Sequence, residues 1–502
     1  MHRRRLWMAG VALGLAVLML AGAAAQLSYA QTGTEPQGPS EPIGVLSTPA
    51  PGSKNAVQPP AFDPGGVTLL DRAGAGTKNA AEVHQAAAPQ IAGDSGSFMA
   101  CGATGNANWT TTSTAWQVIR SCTATFPEAG VVFINATAGV ALQDTAYEGR
   151  FGLSIDNAAA GIQSTSRWVN IYPDGGDGTD KSVAASLLIP VSAGTHTFYF
   201  LGTRYAGSGT VLAYDPALSV AYFPASATPV KTCGVSSSAV FTTTSNTFAA
   251  VQTCSLNVPG PGWVYVNATA SAGLPYGGGP YEVRYHVAVD DNSLNTGWPD
   301  HWTNVYTDTG DGTDEALASS MLTHIVTGTH TFYFGAARYA GSGTVQLYDP
   351  ALSVLYFPAN SVVAKTCGSF EGSGDWQNST NSYTTVRACM LEVPSRGFAI
   401  VDANASAGLT YGSSNWEGLF RWGVDDANGS DSFDRWADVY TDSGDGTDRV
   451  VAASGLIDVS AGPHTFYFVG RRYSGSGTVE LIRPSLTVLV PTGRVFLPLV
   501  LK

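Results

Sequence analysis

The stretch that decides the fold runs from Gly194 to Pro224 and reads GTHTFYFLGTRYAGSGTVLAYDPALSVAYFP. It occurs again as GTHTFYFGAARYAGSGTVQLYDPALSVLYFP at Gly328–Pro358, and as GPHTFYFVGRRYSGSGTVELIRPSLTVLVP at Gly462–Pro491. Equivalent positions in neighbouring copies are 134 residues apart. A recurrence of this length and regularity predicts one structural unit that is built three times.

The composition and the spacing of apolar residues favour strands over helices. Charged residues make up only 13% of the chain, which also contains 58 glycines, a mixture typical of many short strands joined by turns. Runs such as VVFINATA, WVYVNATA and FAIVDANA show β-branched and aromatic residues typical of strands. The sequence therefore predicts an all-β chain with three tandem antiparallel β-sandwich domains of jelly-roll-like form, with about eight strands each.

The repeat sets the predicted domain boundaries. They are a signal peptide at 1–30, a flexible low-complexity spacer at 31–96, repeats at 97–226, 227–360 and 361–491, and an apolar tail at 492–502. The tail VFLPLVLK resembles short C-terminal tails of some secreted bacterial proteins, and it is either a closing strand or a sorting signal.

The N-terminus has the pattern of an export signal. Arg3, Arg4 and Arg5 precede an apolar run from Leu6 to Ala21, and small-residue cleavage sites follow. A membrane anchor is the alternative interpretation, and no later segment is apolar for long enough to span a bilayer. The formal net charge of −13 repels phosphate backbones and argues against a nucleic-acid partner. We expect a secreted or cell-surface protein.

Each repeat contains two of the six cysteines. Because each unit must be complete by itself, and an exported protein lies where disulfides persist, one bond within each repeat is expected. The predicted pairs are Cys101–Cys122, Cys233–Cys254 and Cys367–Cys389.

An acidic, glycine-rich loop is the first candidate site. It reads YPDGGDGTD, YTDTGDGTD and YTDSGDGTD in the three copies. Carboxylates on a loop that can curl suit calcium, whereas a turn in which aspartates bond their own backbone amides is the simpler alternative. The candidate calcium ligands are Asp174, Asp177, Asp180, Asp308, Asp311, Asp314, Asp442, Asp445 and Asp448.

Two aromatic residues precede each acidic loop and form the second candidate site. Their i, i+4 spacing places both on one face of a strand, where they would stack on a sugar ring or belong to the core. These candidate ligand-binding residues are Trp168, Tyr172, Trp302, Tyr306, Trp436 and Tyr440.

The repeated stretch itself supplies structural candidates. The Gly-Ser-Gly segment predicts a hairpin bend, and Arg204, with its counterparts Arg338 and Arg472, is expected to form an ion pair with an acidic-loop aspartate, or with Asp215 or Asp349. His196, His330 and His464 show no recurring partner, so a structural role is expected. Three of the six N-x-S/T sequons, at Asn135, Asn267 and Asn404, are expected at strand ends.

The unit resembles the tumour-necrosis-factor/complement-type jelly roll in its length and in its two strong closing strands, HTFYF…GSGTV and LSVAYFP. The resemblance implies a ten-strand or similar jelly roll, trimeric packing, and binding of proteins or glycans. The cysteine pair and the GDGTD loop are not part of that family's usual pattern. Three copies in one chain would then pack as an intramolecular pseudo-trimer, and the alternative is a string of separate units.

These observations predict a non-enzymatic protein. No GxSxG, HExxH or phosphate-binding loop occurs. The first hypothesis is a module for glycan or partner-protein binding, including adhesion, or a structural array, with calcium as the only cofactor considered. The alternative is a carbohydrate-active hydrolase that uses aspartates of the GDGTD loops.

Overall fold

The computed structural model describes residues 98–103, 108–173, 179–226, 231–274, 277–294, 300–307, 313–368, 375–409, 414–432, 434–440, 448–492 and 495–496. Within these ranges the chain is almost entirely β-strand, with one 3-10 turn at Gln163–Thr165, and it forms three sandwich units as predicted. None of the described residues belongs to a helix long and apolar enough to cross a membrane. The predicted signal peptide and spacer lie outside the described residues.

In the described ranges each unit contains nine strands, where about eight were expected. The first unit contains β1 (Phe98–Ala103), β2 (Trp109–Thr111), β3 (Gln117–Phe126), β4 (Gly130–Ala141), β5 (Tyr147–Ile155), β6 (Arg167–Ile171), β7 (Asp180–Val191), β8 (Gly194–Gly207) and β9 (Val211–Pro224). The second contains β10 (Lys231–Ser236), β11 (Phe241–Thr243), β12 (Ala249–Val258), β13 (Gly262–Gly273), β14 (Tyr281–Val289), β15 (His301–Val305), β16 (Glu315–Ile325), β17 (Gly328–Gly341) and β18 (Val345–Pro358).

The third unit repeats the pattern. It contains β19 (Val362–Cys367), β20 (Trp376–Asn378), β21 (Thr384–Val393), β22 (Gly397–Gly408), β23 (Trp416–Val424), β24 (Arg435–Val439), β25 (Arg449–Val459), β26 (Gly462–Gly475) and β27 (Val479–Pro491). From the tail, β28 (Val495–Phe496) pairs in parallel with β1, so this part of the tail is a short strand.

Two sheets face each other in every unit. In the first unit one sheet has the order β1-β9-β4-β7, with β2 beside β9, and the other has the order β3-β8-β5-β6. The same orders recur as β10-β18-β13-β16 and β12-β17-β14-β15, and as β19-β27-β22-β25 and β21-β26-β23-β24. All pairs within the units are antiparallel, and successive long strands pass from one sheet to the other in jelly-roll fashion.

The period-two pattern explains which side of a strand is buried. In β3, Cys122, Ala124 and Phe126 enter the core between the sheets. The intervening Thr123 and Thr125 face outward, and each hydroxyl lies within hydrogen-bond distance of a threonine hydroxyl on β8, at 3.0 and 2.8 Å. Apolar side chains therefore fill the sandwich while polar ones pair across its outer surface.

The predicted hairpin at the Gly-Ser-Gly segment is wrong. β8 pairs with β3 and β5, whereas β9 pairs with β1 and β4, so the segment is an arch that carries the chain between sheets. A Cβ on Gly209 would lie 1.8 Å from the carbonyl oxygen of Thr145. Glycine is needed because the arch passes directly over a neighbouring backbone.

The three predicted disulfides are present: Cys101–Cys122, Cys233–Cys254 and Cys367–Cys389. In the first unit the bond joins β1 to β3 and therefore ties the two sheets together. The same holds for β10 with β12 and for β19 with β21.

The three units pack against one another in a closed ring. One apolar cluster draws residues from all three, including Phe133 and Phe223 of the first, Tyr265 and Phe357 of the second, and Ile400 of the third. This is the arrangement expected of a pseudo-trimer, since units in a string would share no common core. Below, seam 1–2, seam 2–3 and seam 3–1 denote the contacts between successive units.

The three sequons expected at strand ends lie instead in the middle of strands and are buried at the seams. Ser186 donates to Asn267 at 2.5 Å across seam 1–2, Asn404 donates to Ser320 at 2.6 Å across seam 2–3, and Ser454 donates to Asn135 at 3.0 Å across seam 3–1. The polar side chains are there because each satisfies a partner on the next unit.

Candidate functional site

The two aromatic residues that precede each acidic loop go to different places. Tyr172, Tyr306 and Tyr440 all lie near the buried guanidinium of Arg449, whose pKa is lowered by burial but raised overall by Glu315 and these hydroxyls. The ammonium of Lys181 lies 5.4 Å from the ring centroid of Tyr172. The tyrosines therefore converge where the three units meet.

A buried charged triad occupies this convergence point. Lys181, Glu315 and Arg449 hold equivalent positions in the three units, near the start of β7, β16 and β25. Lys181 Nζ lies 2.7 Å and Arg449 Nη1 2.8 Å from the same Glu315 oxygen. One repeated position thus carries three different residues, and the Glu315 carboxylate of the second unit attracts a cation from each of the other two.

The tryptophans lie at the seams. Trp168 stacks on Tyr348 of the second unit, Trp302 lies under Arg483 of the third, and Trp436 packs on Tyr214 of the first. The backbone amides of Trp168 and Trp302 donate to Ser271 and Ser406 across their seams, at 2.9 and 2.7 Å.

Each tryptophan continues into a row of aromatic rings and arginines that we call the seam surface. In the first unit, Arg150 lies 5.1 Å from the Trp116 ring and 4.7 Å from the Trp168 ring, and Trp168 stacks on Tyr205 at 5.5 Å. Two Arg150 nitrogens donate to Ser166 Oγ at 3.1 and 2.8 Å, which fixes the guanidinium between the rings.

The other two units carry seam surfaces of the same kind with different members. They consist of Phe248, Arg284, Trp302 and Tyr339 in the second unit, and of Tyr383, Arg421, Trp436, Arg471 and Tyr473 in the third. Tyr205 and Tyr339 are among the exposed large side chains, at 57% and 55%. Sequence reasoning missed these tyrosines, although they recur after the arginine of each RY-x-GSGT segment.

Six of the nine candidate calcium ligands, Asp174, Asp177, Asp308, Asp311, Asp442 and Asp445, lie outside the described residues. The other three bind the neighbouring unit through their backbone. The amides of Asp314, Asp448 and Asp180 donate to Asn170, Asn304 and Asp438 at 2.8, 2.7 and 3.1 Å. Calcium binding by these loops therefore stays a prediction.

One group of carboxylates in the described part of the chain has the spacing of a metal site. Oxygens of Asp180, Glu417 and Asp438 lie within 4.8 Å of one another at seam 3–1, and all three residues are buried. The other seams have Asn170 and Asn304 in place of Asp438. Only Asp180 belongs to the predicted ligand set.

The arginines of the repeated stretch bond their own arch. Arg204 Nη1 donates to the carbonyls of Ser208 and Gly209 at 2.9 and 3.2 Å. Arg338 and Arg472 make the same bonds in their units. The described side-chain bonds of Arg204 and Arg338 thus go to backbone carbonyls, and the ion pairs expected with an acidic-loop aspartate, Asp215 or Asp349 stay predictions.

Each recurring histidine has a recurring partner that sequence reasoning missed. Nδ1 of His196, His330 and His464 lies 2.7, 2.5 and 2.6 Å from a carboxylate oxygen of Asp156, Asp290 and Asp425. In all three pairs the aspartate has a positive φ, near 56°, and its other oxygen accepts the amide that follows the histidine. The sequence feature that could have predicted these partners is the aspartate at the end of each run FGLSID, YHVAVD and FRWGVD.

The His330 pair shows what these contacts do. Its Nε2 lies 2.8 Å from the carbonyl of Val326, so both ring nitrogens face acceptors. Burial lowers the pKa of His330, but the bonds to Asp290 and Val326 raise it overall. The pair joins β17 to the end of β14, which supports the structural role expected for the histidine.

No family model matches the chain, and no curated protein matches it. Among solved structures it is similar to PNGF-II (10% identity, TM-score 0.22, 69% of this chain and 99% of that chain). It is also similar to a tandem CBM22-1–CBM22-2 domain from Paenibacillus barcinonensis Xyn10C (13% identity, TM-score 0.15, 52% and 91%). A third is the Sulfolobus turreted icosahedral virus structure (10% identity, TM-score 0.17, 78% and 90%). At these scores the similarities carry no functional argument.

Proposed function

We propose that the chain is a secreted or cell-surface, non-enzymatic protein that binds an extracellular glycan at its three seam surfaces. The observation that carries the proposal is the row of aromatic rings and guanidinium groups at each seam, with Tyr205 and Tyr339 more than half exposed. A cluster of exposed aromatic rings is uncommon on a protein surface that binds nothing.

The chemistry of the seam surface suits a sugar. Flat rings offer their faces to the apolar side of a pyranose, and tyrosine hydroxyls and arginine N–H groups donate to ring hydroxyls. In the first unit Ser166 holds Arg150 in place, so little conformational entropy is lost when a ligand binds.

Three seam surfaces on one ring would act together. A polysaccharide that reaches two of them gains avidity, because the second contact is intramolecular. In the tumour-necrosis-factor/complement-type jelly rolls that the units resemble, packing is trimeric, and here one chain would supply all three units. The three disulfides suit the extracellular location of such a ligand.

The test is retention of the full-length protein on immobilised polysaccharides, with calcium or with a chelator. Tyr205→Ala, Tyr339→Ala and Tyr473→Ala each remove one ring, and each single change should weaken binding about fivefold if stacking is worth ~1 kcal/mol. The combined variant should not be retained. Calcium-dependent retention would support the proposed role of the acidic loops.

The matched controls are Val326→Ala and Met390→Ala, which shorten side chains that are 63% and 65% exposed. Val326 lies just before β17, and Met390 in β21 pairs with Thr465 near the start of β26, whereas Tyr339 and Tyr473 lie near the other ends of β17 and β26. Retention that survives all three tyrosine changes contradicts the proposed site. Failure of the wild-type protein to bind any polysaccharide contradicts the proposed function.

A further inference from the structure

The three seams use equivalent positions but not equivalent charges. One side of each seam is formed by the residues that begin β6, β15 and β24, and the other by a left-handed residue within β9, β18 or β27. On the first side the pairs are Ser166-Arg167, Asp300-His301 and Asp434-Arg435. On the second side the residues are Asp215, Asp349 and Arg483, with φ of 45°, 50° and 49°.

Two seams place a buried arginine against an aspartate. At seam 1–2 Arg167 donates to the Asp349 carbonyl at 2.9 Å and to Thr269 at 2.5 Å. At seam 3–1 Arg435 donates to the Asp215 carbonyl at 3.1 Å and to Thr137 at 2.7 Å. The carboxylate of each aspartate raises the pKa of the arginine opposite it, against the larger lowering by burial.

Seam 2–3 reverses the arrangement. His301 replaces the arginine, Asn404 replaces the threonine, and the residue opposite is Arg483, which donates to Asp300 at 2.9 Å. Burial lowers the pKa of His301 to about 4, so this side chain is neutral where the other seams carry a guanidinium. The carboxylate that bonds across this seam thus belongs to the second unit, where His286 and Arg284 also lie against it at 2.6 and 4.0 Å, and the guanidinium that it accepts belongs to the third.

In a ring of three, every unit touches both others, one on each flank. Two orders can therefore be drawn, and they differ in which seam positions meet. In the opposite order Arg167 would face Arg483, and Asp300 with His301 would face Asp215. Both contacts would place like charges against each other at partly buried positions, which is unfavourable.

We propose that the residues at these seam positions identify each unit's neighbour and thereby select one of the two ways in which three similar sandwiches can close into a ring. The partner recognised by each seam is another unit of the same chain. The seam sides that carry Arg167 and Arg435 accept aspartate, and the seam side that carries Asp300 and His301 accepts Arg483. Since positions 215, 349 and 483 share one backbone conformation, the identity of the side chain alone carries the difference.

The experiment converts seam 2–3 into a copy of seam 1–2 in the full-length protein. Asp300→Ser with His301→Arg changes the side contributed by the second unit, and Asn404→Thr with Arg483→Asp changes the side contributed by the third. Each half alone creates a mismatch and should lower the melting temperature by roughly 5 °C. The four changes together restore a matched pair, and the melting temperature should return to within about 2 °C of the wild type.

The decisive comparison is between the melting temperature of the four-residue variant and those of the two two-residue variants. If each two-residue variant fails to fold and the four-residue variant folds, the result also supports the proposal. If the full set is less stable than either half, the losses simply add, the side chains do not recognise one another, and the proposal is wrong. The His301→Arg change is sterically testable in this background because Arg167 and Arg435 occupy the same position in the other units.

Discussion

At the scale of single residues, the glycines of the arches tolerate a side chain least. A Cβ on Gly209 would lie 1.8 Å from a backbone oxygen, which cannot be relieved by moving a side chain. We expect Gly209→Ala to reduce the free energy of unfolding by about 3 kcal/mol, as overpacking does. Gly260→Ala is the control, because a Cβ there meets nothing within 4 Å. Equal urea midpoints for the two variants would show that the arch is free to shift.

The His330–Asp290 pair makes a second residue-scale prediction. The folded pKa of His330 is raised above 6.5, so the folded state binds a proton that the unfolded state releases first. The stabilisation is complete below pH 6.5 and is lost as the pH rises through the folded pKa. Asp290→Asn keeps the left-handed backbone but removes the charge, so urea unfolding at pH 6 and pH 8 should differ less than in the wild type. Asp458→Asn, at a half-exposed surface pair, should leave the difference unchanged.

At the scale of elements, local pattern predicted the strands but not their partners. The alternation in HTFYF and in LSVAYFP depends only on which face is buried, and both runs are strands as expected. A Gly-Ser-Gly segment is equally compatible with a hairpin and with an arch. Only the pairing of β8 with β3 and β5 distinguishes the two, and that pairing joins residues far apart in sequence. The disulfide pairs were predictable because they repeat within each unit.

The disulfides give a prediction at this scale. Cys101 and Cys122 are 21 residues apart and join β1 in one sheet to β3 in the other. Replacing both with alanine should reduce the free energy of unfolding by about 3 kcal/mol through the loop entropy regained by the unfolded chain. Urea unfolding of the double variant and of the wild type, both under non-reducing conditions, measures this loss, because the other two disulfides stay intact in both proteins. A loss close to zero would mean that the sandwich core alone holds the two sheets together.

At the scale of the whole molecule, comparison of the three repeats did not predict how the units contact one another. Comparing copies draws attention to what they share, such as the GDGTD loop, the tryptophans and the histidines. The ring is specified by positions where the copies differ, including Lys181, Glu315 and Arg449. In the sequence, such differences resemble neutral substitutions. The pattern of a single unit does not show which of its residues contact another unit. The tryptophans were found because they are shared, but the seams that they line were not predictable.

The buried charged triad links all three units. Glu315 pairs with both Lys181 and Arg449, all three are buried, and each belongs to a different unit. Glu315→Gln would leave two buried cations together, so the free energy of unfolding should fall by about 3–5 kcal/mol. Arg396→Ala breaks an exposed ion pair that solvent screens, so the free energy of unfolding should stay close to that of the wild type.

Replacing all three residues of the triad with Met, Leu and Met should recover most of the stability lost in Glu315→Gln, because a well-packed apolar layer often substitutes for a buried ion pair. Small-angle scattering tests whether the triad also keeps the ring closed. If the triad holds the ring closed, Glu315→Gln should show a larger radius of gyration than the wild type before it unfolds, and the apolar triple variant should not. An elongated profile for the wild type would contradict the closed ring itself.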